Sequence, residues 1–364
     1  MTRILAFATA ALVALAACTF GTAPSVAPAG SAAAGPGSLV GILMPTKSSG
    51  RWASDGQLIV DDLTALGRQA DLQFAENDIP IQVSQVDRIV GRGAKVLVIA
   101  AIDGTTLTDI LRKAGDANVR VIAYDTLVME SPAVDYYVTF DSFRAGVVQA
   151  QSIETRLGLK TRSGPFNIEV FAGSPDDIDA EIRLKGAMSI LQPYLDDGKL
   201  VVKSGQTRFA QVATLRGDPV AAGARMDSIV KSDYENTRID AVLSPSDGLS
   251  QGIIASLKAA GYYSAASPAP VVTGLGAEVA SIKSILAGEQ TSTVFEDSRL
   301  LAAQAAATAD QVLAGGAVET TDTTTYDNGA KIVPSFLVVP IGVDRSNVQK
   351  ELVDSGYYKA SDLR

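Results

Sequence analysis

The chain has 364 residues, with 31 Lys plus Arg against 40 Asp plus Glu, a net charge of −9, one cysteine and no histidine. That length suits two domains of ordinary size, and the acidic balance argues against nucleic acid, whose phosphate backbone selects basic partners. Without histidine there is no Ser-His-Asp or Cys-His catalysis and no histidine-ligated zinc, and one cysteine makes neither an intrachain disulfide nor a metal cluster.

Arg3 opens a short basic region before the apolar run "ILAFATAALVALAAC". The run is short for a membrane span and reads as the core of a signal peptide over residues 1–17. Its end, Leu15-Ala16-Ala17-Cys18, resembles a bacterial lipobox, which predicts cleavage before Cys18 and lipid on its sulfur. An ordinary signal peptide with an incidental cysteine is the alternative. Residues 18–37, "CTFGTAPSVAPAGSAAAGPG", have no charge and almost no large apolar side chain, so they read as a flexible tether. Anchor and tether place the folded part outside the cytoplasmic membrane, at the cell surface or in the periplasm.

From Ser38 on, strands and helices alternate. "SLVGILM" reads as a buried strand, "DGQLIVDDLTALGRQA" as a helix, "DLQFAE" as a strand and "IPIQVSQVDRIVGRG" as a helix. "AKVLVIAA", the helix "TTLTDILRKAGDAN" and "VRVIAYD" follow. The pattern restarts with the helix "FRAGVVQAQSIETRLG", the strand "FNIEVFAG" and the helix "AEIRLKGAMSILQPYL". It continues through the strands "KLVVKSG", "IDAVLSP" and "APVVTG", with helices between them, and closes on "KIVPSFLVVPIGV", which is strand again. Such alternation predicts an α/β chain with two doubly wound lobes in series, their parallel strands covered by helices on both faces. Ligands of open α/β sheets bind at the carboxyl ends of strands. Four loops meet that rule: "PTKSSGRW", "AIDGTT", "GSPDDID" and "SPSDG". The Ala-rich helix "RLLAAQAAATADQVLAGG" predicts close helix packing, with a partner interface as the less favoured reading.

The segments "GILMPTKSSGRWASDG", "VLVIAAIDGTTL", "NIEVFAGSPDD", "DAVLSPSDGLSQGIIASLK" and "GEQTSTVF" keep their order over nearly all of 38–364. In them the chain resembles the periplasmic sugar-binding proteins of ABC importers, above all the xylose-binding and multiple-monosaccharide receptors. The resemblance implies the type I periplasmic-binding fold: two Rossmann-like lobes joined by three crossover strands, with the ligand cleft between them. It places 38–140 with 273–330 in the first lobe and 141–272 with 331–364 in the second. It also implies a monomer that closes on a monosaccharide and docks on a membrane permease driven by an ATPase, without a cofactor.

Carried over residue by residue, the resemblance assigns ligand contacts to Lys47, Ser48, Arg51 and Trp52 of the first loop and to Asp103 of "AIDGTT". Asp125 keeps the acid that follows strand four, Asp141 lies at a lobe crossover and before a helix it would cap, and Asp247 keeps the acid of "SPSDG". Asp179 falls where the receptors carry an amide. Elsewhere the pattern lapses. Thr126 stands for an Arg, Ile178 for an amide, Gly217 for a Trp, Gly276 for an acid and Glu296 for a Lys; Glu181 to Arg183 replace an aromatic cover. These changes predict a wider and more acidic cleft that Arg183 and Lys185 offset where they point inward, and a solute that is larger, cationic or a sugar derivative.

"DDIDAE" lacks the central Gly and distal Glu of a calcium loop, so no metal is expected there. Asp177 and Glu181 have glycosidase-like chemistry, yet acids at the opening of a helix are favoured by its dipole alone. No nucleophile-base pair appears, so no enzyme is expected. The sequence therefore predicts a lipid-anchored solute-binding protein of a carbohydrate importer. Two alternatives stay open: a sensory receptor that presents its closed form to a membrane kinase, and a surface protein that kept the scaffold and lost sugar binding.

Overall fold

The computed structural model describes residues 39–364; the signal segment, Cys18 and the 18–37 tether lie outside the described residues. The chain opens with β1 (Leu39–Met44), α1 (Gly50–Ala65), β2 (Gln69–Phe74), α2 (Ile79–Gly91), β3 (Val96–Ile99), α3 (Thr108–Asp116), β4 (Arg120–Tyr124) and β5 (Val134–Phe140). Then come α4 (Ser142–Leu157), β6 (Phe166–Val170), α5 (Ile178–Asp196), β7 (Leu200–Val201), α6 (Phe209–Val212), α7 (Pro219–Asp233), β8 (Ala241–Leu243) and α8 (Asp247–Ala259). The chain closes with β9 (Val271–Val272), α9 (Val279–Ala287), β10 (Ser292–Phe295), α10 (Ser298–Ala314), β11 (Ser335–Val338) and β12 (Ile341–Asp344).

The first sheet has six strands in the order β11-β5-β4-β3-β1-β2, all parallel. Its central strand, "VLVI", is apolar throughout because helices cover both faces. One face packs on α2 and α3 through Val86, Ile89, Leu107 and Leu111; the other packs on α1 and α10 through Ile59, Leu63, Leu301 and Ala305. The Ala stripe of α10 is thus a close-packing surface: Ala302, Ala305, Ala306 and Ala309 are buried against the sheet.

The second sheet runs β7-β6-β8-β9. β10 and β12 form a separate antiparallel pair beside it, and Thr291 and Val294 donate backbone hydrogen bonds to Val272 and Gly274 at its β9 edge. Three crossings join the lobes: Phe140 to Ser142, Phe295 to Ser298, and Val338 to Ile341.

The crossings correct two expectations. β5, "VDYYVTF", is a fifth strand of the first sheet, beyond the four expected there. The lobe boundaries also move. Residues 273–295 lie with the second lobe, because β10 pairs with β12 and α9 packs beneath it around Ile282, Ile285 and Phe295. Residues 335–338 lie with the first, because β11 pairs in parallel with β5.

Candidate functional site

Between the lobes lies a cavity of about 740 Å³. The ends of β3, β4 and β5 form one wall, and the loop before α5 with the helix's first turns forms the other. The crossing at Glu296 completes the lining. Strand carboxyl ends are where open parallel sheets leave room for a ligand, since the crossover helices start there and diverge.

Arg51 is the anchor of the first wall. Helix α1 begins at Gly50, so Arg51 and Trp52 sit in its first turn and not in the loop that the sequence suggested. One helical step turns the side chain by about 100°. Arg51 accordingly reaches the cleft, while Trp52 turns inward, edge-on to Tyr124 with ring centroids 6.5 Å apart. Arg51 lies over the Trp52 ring at 4.7 Å and donates to Asp125 at 2.6 Å. Below it, buried Asp55 sits 3.5 Å from Arg51 Nε and accepts from Tyr124 at 2.9 Å. Burial works against the charge of Arg51, but Asp125 and Asp55 outweigh it and hold the guanidinium firmly protonated.

Asp125 has φ of 62°, a left-handed conformation that few residues other than Gly adopt without cost. Tyr137 of β5 holds it there by donating to the Asp125 carbonyl at 2.7 Å. Asp103, exposed at the rim, accepts from the backbone and the hydroxyl of Thr105 at 2.8 and 2.7 Å. Those two bonds lower its pKa and keep it ionised.

The second wall is the start of α5. Asp177 caps the helix, accepting from the Asp179 amide at 3.0 Å. Asp179 and Arg183 are one turn apart, hence on one face, and both line the cleft. Glu181 and Lys185 fall on the outer face, where they pair at 3.0 Å in solvent. The acid gained at 181 therefore stays out of the cleft and the base at 183 enters it. Ile178 and Ile182 pack against the first lobe's core beside Tyr137. Tyr137 Oη is also 3.4 Å from Asp179 Oδ2, so the lobes touch across this end of the cleft. Burial, then the neighbouring Asp177, push Asp179 up to about 7. Burial likewise pushes Glu296 up to about 7, against the opposing pull of Arg183.

Of the sequence-derived contacts, Arg51, Asp103, Asp125 and Asp179 line the cavity; Lys47, Ser48, Trp52, Asp141 and Asp247 do not. The Lys47 backbone and the Thr46 hydroxyl are tied to Glu76, and Ser48 bonds Thr46 at 2.9 Å. Asp141 caps α4 through Arg144 N at 2.8 Å. Asp247 is fully buried, accepting from Gln290 and from the Glu278 amide, both at 2.9 Å. A Cβ at Gly274 would lie 2.1 Å from its Oδ1, so the carboxylate is wedged against backbone that only Gly permits. Burial pushes Asp247 up to about 6 despite these bonds. Gly217 and Gly276 also lie off the cavity. Thr105, Thr139, Phe140 and Ser142 also line the cavity without having been expected there, and most of them lie on β5 or just after it. The alternation in "VDYYVTF" is the signal that locates them.

Two parallel-sheet lobes, three crossings and a polar, charged cavity at the strand ends define a two-lobed solute receptor. Residues 40–317 match the family model for a periplasmic binding protein domain. The chain is 54% identical over 349 residues to the multiple sugar-binding periplasmic receptor ChvE of Rhizobium radiobacter, covering 96% of this chain and 98% of that one. It is 32% identical over 313 residues to the D-xylose-binding periplasmic protein of Escherichia coli, covering 86% and 88%. A solved ABC transporter solute-binding protein from Clostridium phytofermentans, holding β-D-glucose, superposes with a TM-score of 0.78 at 42% identity, over 90% of this chain and all of that one. The chain belongs to the periplasmic binding protein family, in the branch of sugar-binding receptors of ABC transport, and is an extracytoplasmic binding protein rather than an enzyme.

Proposed function

We propose that this receptor holds one monosaccharide in the cleft and delivers it, closed, to the permease of a carbohydrate importer. The observation that carries this is the cavity of about 740 Å³, lined from both lobes and by residues of two of the crossings, at Phe140 to Ser142 and at Glu296. A cavity of that size falls in the range of small-molecule sites, about 300–1,000 Å³. Its contacts are charged groups suited to hydroxyls: Arg51, Asp103 and Asp125 from one lobe, Asp179 and Arg183 from the other. Charge-assisted hydrogen bonds are strong in a cleft that excludes water. Contacts drawn from both lobes stabilise the closed arrangement over the open one, which is how binding drives closure. Phe140, at the first crossing, supplies the apolar surface that a sugar's C–H face requires. Glucose-bound and multiple-sugar relatives support a monosaccharide over a larger solute.

We further infer that Cys18 carries a lipid that tethers the receptor, as a monomer, to the outer face of the cytoplasmic membrane. A thermal-shift panel of hexoses, pentoses, amino sugars and polyols tests the ligand reading. A ligand at 100 times its Kd adds about 2.7 kcal/mol of stability, which raises Tm by several degrees. No shift with any member sinks it. For the anchor, Cys18→Ser must move the protein from the membrane fraction to the soluble one.

A further inference from the structure

Six carboxylates border the cleft, and two guanidinium groups answer them. Arg51 is already engaged by Asp125 and, from below, by Asp55. Arg183 faces Asp177, Asp179 and Glu296 and favours their charges, with Arg51 adding a weaker pull on Glu296. The compensation is incomplete. Asp179 Oδ1 is shielded from solvent without a hydrogen-bond partner among the described residues, and so is Arg183 Nε. The side of the cleft between the α5 start and the Glu296 crossing thus carries more negative charge than its own cations balance. Burial and crowding push Asp177, Asp179 and Glu296 upward, the response of carboxylates that lack a counter-charge. Among the described residues no three acids are placed to hold a metal ion.

Resting on the reading that the cleft takes a monosaccharide, we propose that its preferred solute is a cationic sugar, a hexosamine whose protonated amine sits between Asp179 and Glu296. The ring hydroxyls are then left to Arg51, Asp103 and Asp125 on the first wall. A neutral hexose offers that acidic side only hydroxyls, and a uronate brings a further negative charge to it.

Isothermal titration at pH 7 tests this with D-glucosamine against D-glucose and D-galactosamine against D-galactose, pairs that differ in one group of similar size. N-acetylglucosamine and glucuronate complete the series. The hexosamine binds about tenfold or more tighter than its parent hexose, as expected for one buried charge-assisted bond. N-acetylation, which cancels the charge, removes that advantage. Glu296→Gln and Asp179→Asn each narrow the gap between amine and parent, read as a ratio on folded protein with circular dichroism as the control. The wild-type comparison stands without either variant. A parent hexose bound as tightly as its amine, or glucuronate preferred, overturns the cationic preference and leaves the monosaccharide reading intact. Silence from every sugar overturns both.

Discussion

Asp125 joins backbone strain to ligand geometry. Its left-handed φ of 62° carries the carboxylate to Arg51 at 2.6 Å, and the Tyr137 hydroxyl fixes the turn. Held conformations of this kind cost on the order of 1–3 kcal/mol for residues other than Gly. The Arg51–Asp125 pair is partly exposed, so as a stabilising bridge it is worth about 1 kcal/mol or less. Its value lies in aiming the guanidinium. Two substitutions separate these effects. Asp125→Gly relieves the strain and frees Arg51, so stability holds while sugar affinity falls about tenfold or more. Asp125→Ala keeps the strain and loses the partner, so both fall. Equal affinity in wild type and Asp125→Gly, measured by titration calorimetry, refutes the aiming role. Asp247 is the converse case. Asp247→Ala leaves two buried donors unpaired and costs about 3 kcal/mol, seen in urea unfolding. The sugar affinity of the folded fraction stays unchanged, because the residue lies away from the cavity.

Helices α4 and α5 set the second wall by their closeness. A Cβ on Gly146 would lie 1.9 Å from the Arg183 carbonyl, and one on Gly186 would lie 2.0 Å from the Phe143 carbonyl. The two glycines let the backbones touch, and that contact fixes where Arg183 and Asp179 enter the cleft. Gly186→Ala must push α5 outward, lowering Tm by several degrees and weakening sugar binding about tenfold. Gly91→Ala, at the end of α2 with open space around it, is the control and is neutral or mildly stabilising. Matching Tm values for the two variants would disprove the crossing's role. Periodicity located most helices and the strands β1–β4, because burial writes itself into the spacing of apolar residues. It gave no direction to polar ones. "SSGRW" reads as a loop, yet Gly50 starts the helix and parts Arg51 from Trp52 by one step. Glu181 and Arg183, two residues apart, face opposite ways for the same reason. The lobe boundaries were illegible because β10 and β12 pair across some fifty residues, and nothing local in either strand records the partner.

At the scale of the whole molecule, the unbalanced charge of the cleft becomes a dependence of stability on pH. Asp179 and Glu296 are raised to about 7 and Asp247 to about 6. The same groups in an unfolded chain titrate near about 4. Between these values the folded state holds protons that the unfolded state has lost, so each group's contribution is complete below about pH 4 and is lost as pH rises through 6 to 7. The depressed carboxylates, Asp103, Glu154, Asp322 and Asp344, act oppositely, but their window lies at or below the ordinary carboxylate range and they are flat above pH 5. Between pH 5 and 8 the raised set decides the sign. The ligand-free protein must therefore be more stable to urea at pH 5 than at pH 8. Because Asp179 and Glu296 are raised furthest, while Asp55 and Asp177 are raised less, the Asp179→Asn, Glu296→Gln double variant makes the slope shallower. Asp247 keeps a smaller decline that fades out as pH passes about 6. A stability that rises from pH 5 to 8, or a slope that the double variant leaves unchanged, would mean that these carboxylates are balanced in the closed cleft after all.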